Sequence, residues 1–263
     1  MVALPPVLGG LRVAAPEDVL RIGIVATAGF RYSPLFRWER PYHEQHPADT
    51  LLSYRTQFQT AMESDNFIVL VQEDAYEPKE DDKTTAIIPP NNGWTPPEAG
   101  EKVVVGVLIV KLEPGSPRRG QLKDHKGSYP DLPNCPGRDL NRRHYDSWGS
   151  LVGSVRQEHC DGDSVVSMIV VHPAYWKRGY GTAMMKWARD LSEIDKVPQC
   201  VSAAPMSEGP FVSLGFQQIC RITAEGDEDD PEGVSTALLE YRPKSLALAI
   251  SPFDAVSSRR LPL

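Results

Sequence analysis

The sequence has few cysteines and no CxxC pair: Cys135, Cys160, Cys200 and Cys220 stand far apart. A disulfide framework and a zinc ribbon both need clustered thiols, so these four are expected to be reduced. No apolar run approaches the ~20 residues that cross a bilayer, and Met1-Val2-Ala3-Leu4-Pro5-Pro6 has no basic region leading into an apolar one. The expectation is a cytoplasmic protein without a membrane partner. Positive charge is scarce as well, with 28 Lys and Arg against 35 Asp and Glu, a formal net charge of −7. A grip on a phosphate backbone needs a cationic surplus on one face, so nucleic acid is not an expected partner.

What is present fits a single core: 263 residues, 41% hydrophobic and 24% charged. Leu11-Arg12-Val13 reads as a strand, and Pro16-Glu17-Asp18 as a helix start. The apolar spacing of Leu20, Ile22, Ile24 and Val25 fits either helix or strand. A second helix from Pro47 aligns Leu51, Tyr54, Phe58 and Met62 on one face. Residues 67–71 and 103–110 are continuous apolar runs with the length and β-branching of buried, neighbouring strands.

Two long polar segments, about 74–100 and 113–162, interrupt this pattern. The first is expected to be an exposed loop, and the second has weak helical signs around 140–151. The expected organisation is one domain over 1–242 with these two inserts, followed by a tail over 243–263.

Residues 165–171 form the clearest strand, followed by the turn Trp176-Lys177-Arg178-Gly179-Tyr180-Gly181 and a helix with Met184, Trp187, Ala188 and Leu191 on one face. The glycines let backbone N–H groups approach an anion, and the helix points its positive end at the same place. The spacing is neither a Walker loop nor a dinucleotide fingerprint. A strand over 199–203, a short helix over 209–214 and strands over 216–222 and 234–241 complete the pattern, with the acidic 225–230 as a solvated hairpin loop.

Val170-Val171-His172-Pro173 through Arg178-Gly179-Tyr180-Gly181-Thr182 resembles the acetyl-CoA motif of the GNAT superfamily, and Phe211-Val212-Ser213-Leu214-Gly215-Phe216 resembles its Y-x-x-L-G-F. The N-terminal stretch, with Trp38-Glu39-Arg40-Pro41-Tyr42-His43, is similar to a fungal branch of that superfamily. The resemblance implies an α/β fold with a mixed, centrally splayed sheet flanked by helices. It implies acetyl-CoA or another acyl-CoA as cofactor, with Ile169, Val170 and Val171 along the pantetheine arm. Lys177, Arg178, Gly179, Tyr180, Gly181 and Thr182 would then surround the pyrophosphate. Trp176 stands where the family has Gln or Arg.

The resemblance also shows departures. Phe211 replaces the tyrosine that protonates the departing thiolate, Ala204 replaces a frequent Asn, and Ser164, Ser167 and Met168 stand where a strand glutamate is frequent, with Asp163 only at the start. Replacement catalytic candidates are His172, His144, and His43 or His46, although histidine is also a common satisfied residue. His43 and His46 have HxxH spacing, but no third ligand is evident and no metal is expected. Phe36, Trp38 and Tyr42, in an expected loop, are candidates for an aromatic wall against a flat acceptor, or close a core. Phe211 joins them as a substrate-side residue. Ser207 and Glu208 read better as a helix cap than as acceptor contacts.

The reaction expected is acyl transfer from CoA to a small-molecule amine or hydroxyl by direct attack. The alternatives are a biosynthetic enzyme that has lost acetyl transfer and rearranges its substrate, and a non-catalytic acyl-CoA-binding module.

Overall fold

The two apolar runs become the strands β2 (Phe67–Ala75) and β3 (Lys102–Lys111), paired antiparallel. The computed structural model describes residues 3–6, 9–124 and 126–247. Its sheet also contains β1 (Leu11–Val13), β4 (Ser164–Val171), β5 (Gln199–Ala203), β6 (Gln217–Ala224) and β7 (Val234–Tyr241). The order is β1-β2-β3-β4-β5-β7-β6, and only β4 and β5 run parallel. This is the expected mixed α/β architecture, a seven-stranded sheet flanked by helices.

Alternation along β2 divides the core. Ile68 and Leu70 face α5 (Tyr180–Asp195) with its Met184, Trp187, Ala188 and Leu191. Val69 and Val71 face α1 (Val19–Phe30) and α3 (Pro47–Glu63). The ambiguous run after Leu20 is therefore helical; α1 is buried along nearly its whole length, which blurs any one-sided period. Each large aliphatic side chain buried this way contributes about 1.5–3 kcal/mol.

The other half of that sheet face is covered by α2 (Pro34–Glu39) and α4 (Arg142–His159), through Trp38, Trp148, Val165, Cys200 and Leu238. A short helix α6 (Pro205–Ser213) follows β5, and α7 (Lys244–Ala247) follows β7. Most of the expected tail lies outside the described residues.

Two expectations are corrected. Residues 36–39 are not loop: Pro34 takes the first helical position after Ser33, and its fixed φ starts a turn that runs to Glu39. Segment 74–100 is not simply exposed either, because Glu80 is 3% exposed and pairs through both oxygens with Arg21 of α1. Arg21 in turn donates to Val104 O at 2.8 Å, and Tyr175 donates to Glu80 at 3.1 Å. The second insert supplies α4, which runs well past the residues with helical signs.

Two irregularities prepare a site at the sheet's centre. The β3–β4 register shifts between Ile109 and Val110, leaving Ser167 as an extra residue in β4. This bulge reverses the phase, so Val166 packs on the α5 side and Met168 on the α1 side. Meanwhile β4 and β5 pair only from Ser164 and Gln199 to Val166 and Val201, although β4 continues to Val171. Beyond Val166 the two strands part. Gly29 of α1 sits directly over the parted strand; a Cβ there would lie 2.3 Å from Val170 Cγ2 and 2.7 Å from Val171 O.

Candidate active site

The parting of β4 and β5 opens a cavity of about 1040 Å³. One end is the turn between β4 and α5. His172 N donates to Val105 O at 2.8 Å, and a single 3-10 turn over Pro173–Tyr175 follows, with Ala174 N donating to His172 Nδ1 at 3.3 Å. The chain then takes left-handed backbone at Lys177 (φ 64°) and at Gly179 (φ 87°), the residue preceding α5. Left-handed backbone costs a non-glycine residue about 1–2 kcal/mol, so Lys177 is held there by its surroundings. The first intrahelical bond is Ala183 N to Gly179 O at 2.9 Å. The N–H groups of Tyr180, Gly181 and Thr182 are thus left for a ligand at the positive end of α5.

Ile169, Val170, Val171, Lys177, Gly179, Tyr180, Gly181 and Thr182 line this end of the cavity. Arg178 does not. Its guanidinium donates to Asp74 at 2.7 Å and also pairs with Glu77. Trp176 donates from Nε1 to Val171 O at 2.7 Å, so the indole takes that carbonyl.

The four histidine candidates, His172, His144, His43 and His46, lie off the cavity wall. His172 is fully buried behind the turn, and burial pulls its pKa down to about 4, so it is neutral at ordinary pH. His144, on α4, stacks on Trp38 with centroids 3.7 Å apart; Nδ1 donates to Trp38 O at 2.9 Å and Nε2 faces Asp227 at 2.9 Å. The His43 ring packs edge-on to Phe36 at 5.0 Å. Of the aromatic set, Phe36 and Phe211 line the cavity. Trp38 is buried under α4, and Tyr42 is 47% exposed outside the cavity. Phe211 is fully buried and packs on Phe216 at 5.0 Å.

Ser207 and Glu208 do not cap a helix start. Pro205 begins α6 after Ala204, which places Ser207 inside the first turn, where its hydroxyl donates to Ala204 O at 2.9 Å. Ser207 lines the cavity, and Glu208 pairs with Arg221.

The cavity is also lined by a residue not singled out from the sequence. Glu39, three positions after Phe36 on α2, shares the cavity-facing side of that helix. Burial pushes its pKa up to about 7, with Arg40 opposing the shift. The second insert holds it in place. Asn141 N donates to Glu39 O at 2.9 Å, and the buried Arg40 pairs with the buried Asp139, which also accepts from Thr50 at 2.8 Å. Ser33-Pro34, a good helix start, is the sequence signal that would have aligned Phe36 with Glu39.

Two clusters of potential metal ligands, Glu80, Asp81 and His172, and His144, Asp227 and Asp229, occur among the described residues. Arg21 neutralises Glu80 in the first, and Arg143 pairs with both aspartates of the second. No described helix is long and apolar enough to cross a membrane.

Residues 135–202 match the Acetyltransferase (GNAT) family. An acetyltransferase of Stachybotrys chartarum (strain CBS 109288 / IBT 7711) is 30% identical over 237 residues, 90% of this chain and 92% of that protein. The fold is shared with a histone acetyltransferase HPA2 and related acetyltransferase from Corynebacterium glutamicum, at TM-score 0.50 and 14% identity over 89% of this chain and 95% of that one. It is shared too with the C-terminal condensation domain of Ebony in complex with beta-alanyl-dopamine, at TM-score 0.51 and 7% identity over 88% and 97%. The matched stretch includes β4, the left-handed turn and α5, and with the relative that spans 90% of this chain it establishes that the chain belongs to the GNAT acetyltransferase family.

Proposed function

We propose that this protein transfers an acetyl group from CoA to the amine of a small-molecule acceptor by direct attack, with Glu39 as general base. The observation that carries this reading is one continuous cavity lined both by the anion-ready turn and by a carboxyl of raised pKa.

The residues at the turn fit a CoA pyrophosphate. The amides of Tyr180, Gly181 and Thr182 start α5, Lys177 adds a cation, and no side chain fills the space over Gly179. Ile169 and Val170 continue the wall along the parted edge of β4. Acetyl-CoA, when bound, supplies a thioester carbonyl as electrophile and a thiol as leaving group.

The rest of the chemistry falls to the chain. An alkyl ammonium with a pKa of about 10.4 cannot attack until it loses its proton. Glu39 is placed to take that proton, and its raised pKa brings it close to the operating pH, where a base is most effective. Phe30, Phe36, Met168 and Phe211 exclude water from the same space. A thiol, with a pKa of about 8.5, departs more readily than an amine would, so Phe211 in place of an acidic tyrosine does not abolish transfer.

The test is titration calorimetry with acetyl-CoA, followed by free-thiol release against a panel of amines. Binding with acceptor-dependent release is expected, with loss of release but not of binding in Glu39→Gln. Failure to bind acetyl-CoA would sink the reading.

A further inference from the structure

Along its cavity side α4 presents Tyr145, Trp148, Gly149, Val152, Gly153 and Arg156. The first five make an apolar wall, lowered at the two glycines, where an added Cβ would meet nothing within 4 Å. Arg156 is the exception. Its Nη2 donates to Ser202 Oγ at 3.1 Å on β5, just beyond the last paired residue Val201. Its Nε is buried without a partner, and no carboxylate pairs with it among the described residues. Burial lowers its pKa.

A guanidinium stays charged even so, and a desolvated cation without a counter-ion is costly. Three buried arginines have a carboxylate, Arg21 with Glu80, Arg40 with Asp139 and Arg118 with Asp195, and the buried Arg55 has the oxygens of Leu20 and Asn92 on all three of its nitrogens. Arg156 faces a ligand cavity instead. We infer that Arg156 is a specificity residue that receives a carboxylate of the acceptor, through the paired N–H geometry that guanidinium offers to planar anions. This rests on the acyl-transfer reading of the same cavity.

The position also limits the acceptor's length. Glu39 is anchored at Asn141, and Arg156 lies fifteen residues further along α4, about 20 Å at 1.5 Å per residue. The two side chains narrow this separation, and an amine and a carboxylate at opposite ends of an extended apolar skeleton fit it better than an α-amino acid, which carries both on one carbon.

The experiment is calorimetric titration of the CoA-saturated protein with ω-aminooctanoate and with ω-aminooctanamide, which differ only in the anion. At least tenfold tighter binding of the carboxylate is expected, falling to parity in Arg156→Gln and partly kept in Arg156→Lys. Gln retains a donor for Ser202, and unchanged amide binding reports that the cavity is intact. Equal affinities in the native protein, no binding of either probe, or a preference that persists in Arg156→Gln overturn the assignment. The last result would point to Lys111, which also lines the cavity. A second arm compares succinyl-CoA with acetyl-CoA. If Arg156→Gln weakens succinyl-CoA instead of the amino carboxylate, the anion belongs to the acyl group and the acceptor assignment falls. Carboxylate-selective binding without thiol release would sink acyl transfer and leave Arg156 standing; release from both probes without preference would do the reverse.

Discussion

At the end of the cavity proposed for the phosphate the lining comes from one short stretch of chain, from Ile169 to Thr182, whereas the proposed acceptor end is assembled from α2, α4 and β5, which are far apart in sequence. The first end is a backbone device, a pair of left-handed residues and a helix start. The second depends on side chains and on the buried pair of Arg40 with Asp139, whose carboxylate comes from the second insert. Damage to the phosphate end should therefore weaken cofactor binding with the fold intact. Damage to the acceptor end should affect turnover and stability together.

Glu39→Gln tests this division with the largest expected effect. Loss of a positioned base lowers kcat by about 10²- to 10⁴-fold, and the affinity for acetyl-CoA should not change. In the native enzyme kcat/KM should rise about tenfold per pH unit up to about pH 7, because below that value Glu39 carries the proton and cannot accept another. The variant should lack that limb. The stability effect has the opposite sign: the folded-state pKa of Glu39 is raised, so its contribution is greatest at low pH and is lost as pH rises through about 7. At pH 8 Glu39→Gln should be more stable than the native protein by about 1–3 kcal/mol in urea titrations. A less stable variant would mean that Glu39 holds the fold together.

Asp139→Ala comes next. It strands Arg40 in the interior, with a cost of about 3–5 kcal/mol, and loosens the segment that fixes Glu39. Urea titration should show the loss, and residual activity should fall through kcat. Acetyl-CoA affinity, measured where the variant is folded, should stay near its native value.

Gly179→Ala moves to the other end. Its Cβ would meet nothing within 4 Å, so the cost is confined to left-handed backbone, about 1–2 kcal/mol. If the turn relaxes to relieve that strain, acetyl-CoA should bind roughly five- to thirtyfold more weakly with an unchanged KM for the acceptor. No change in affinity would remove the turn from the binding site.

The same contrast explains what could be read in advance. The sheet was legible because β2, β3 and β4 are continuous apolar runs, and the phosphate turn because its glycines, strand and helix are adjacent in the chain. The six residues of α2 are too few to show a period, so Glu39 passed as part of a charged loop. Its chemistry comes from burial under residues of an insert that reads as polar chain. Glu80 is similar: nothing in the acidic run 80–82 indicates that one carboxylate meets Arg21 in the interior. The histidines show the reverse case. As a residue type they suggest catalysis, but partners elsewhere in the chain occupy His144 and bury His172.

Arg178→Gln has the smallest expected effect and bears most directly on the comparison. The resemblance places the amide of Arg178 at the pyrophosphate and its charge would add to the turn, yet Asp74 and Glu77 of the first insert already engage the guanidinium, and it is about one-third exposed. Exposed pairs of this kind contribute about 0–1 kcal/mol, so stability should shift within that range and acetyl-CoA affinity by less than about fivefold. Lys177→Gln should cost more affinity, because Lys177 lines the cavity and has no ion-pair partner among the described residues. If Arg178→Gln instead proves the costlier of the two, the guanidinium must leave Asp74 and Glu77 for the pyrophosphate when acetyl-CoA binds. The phosphate end would then depend on a distant segment just as the acceptor end does, and the first insert would respond to the cofactor.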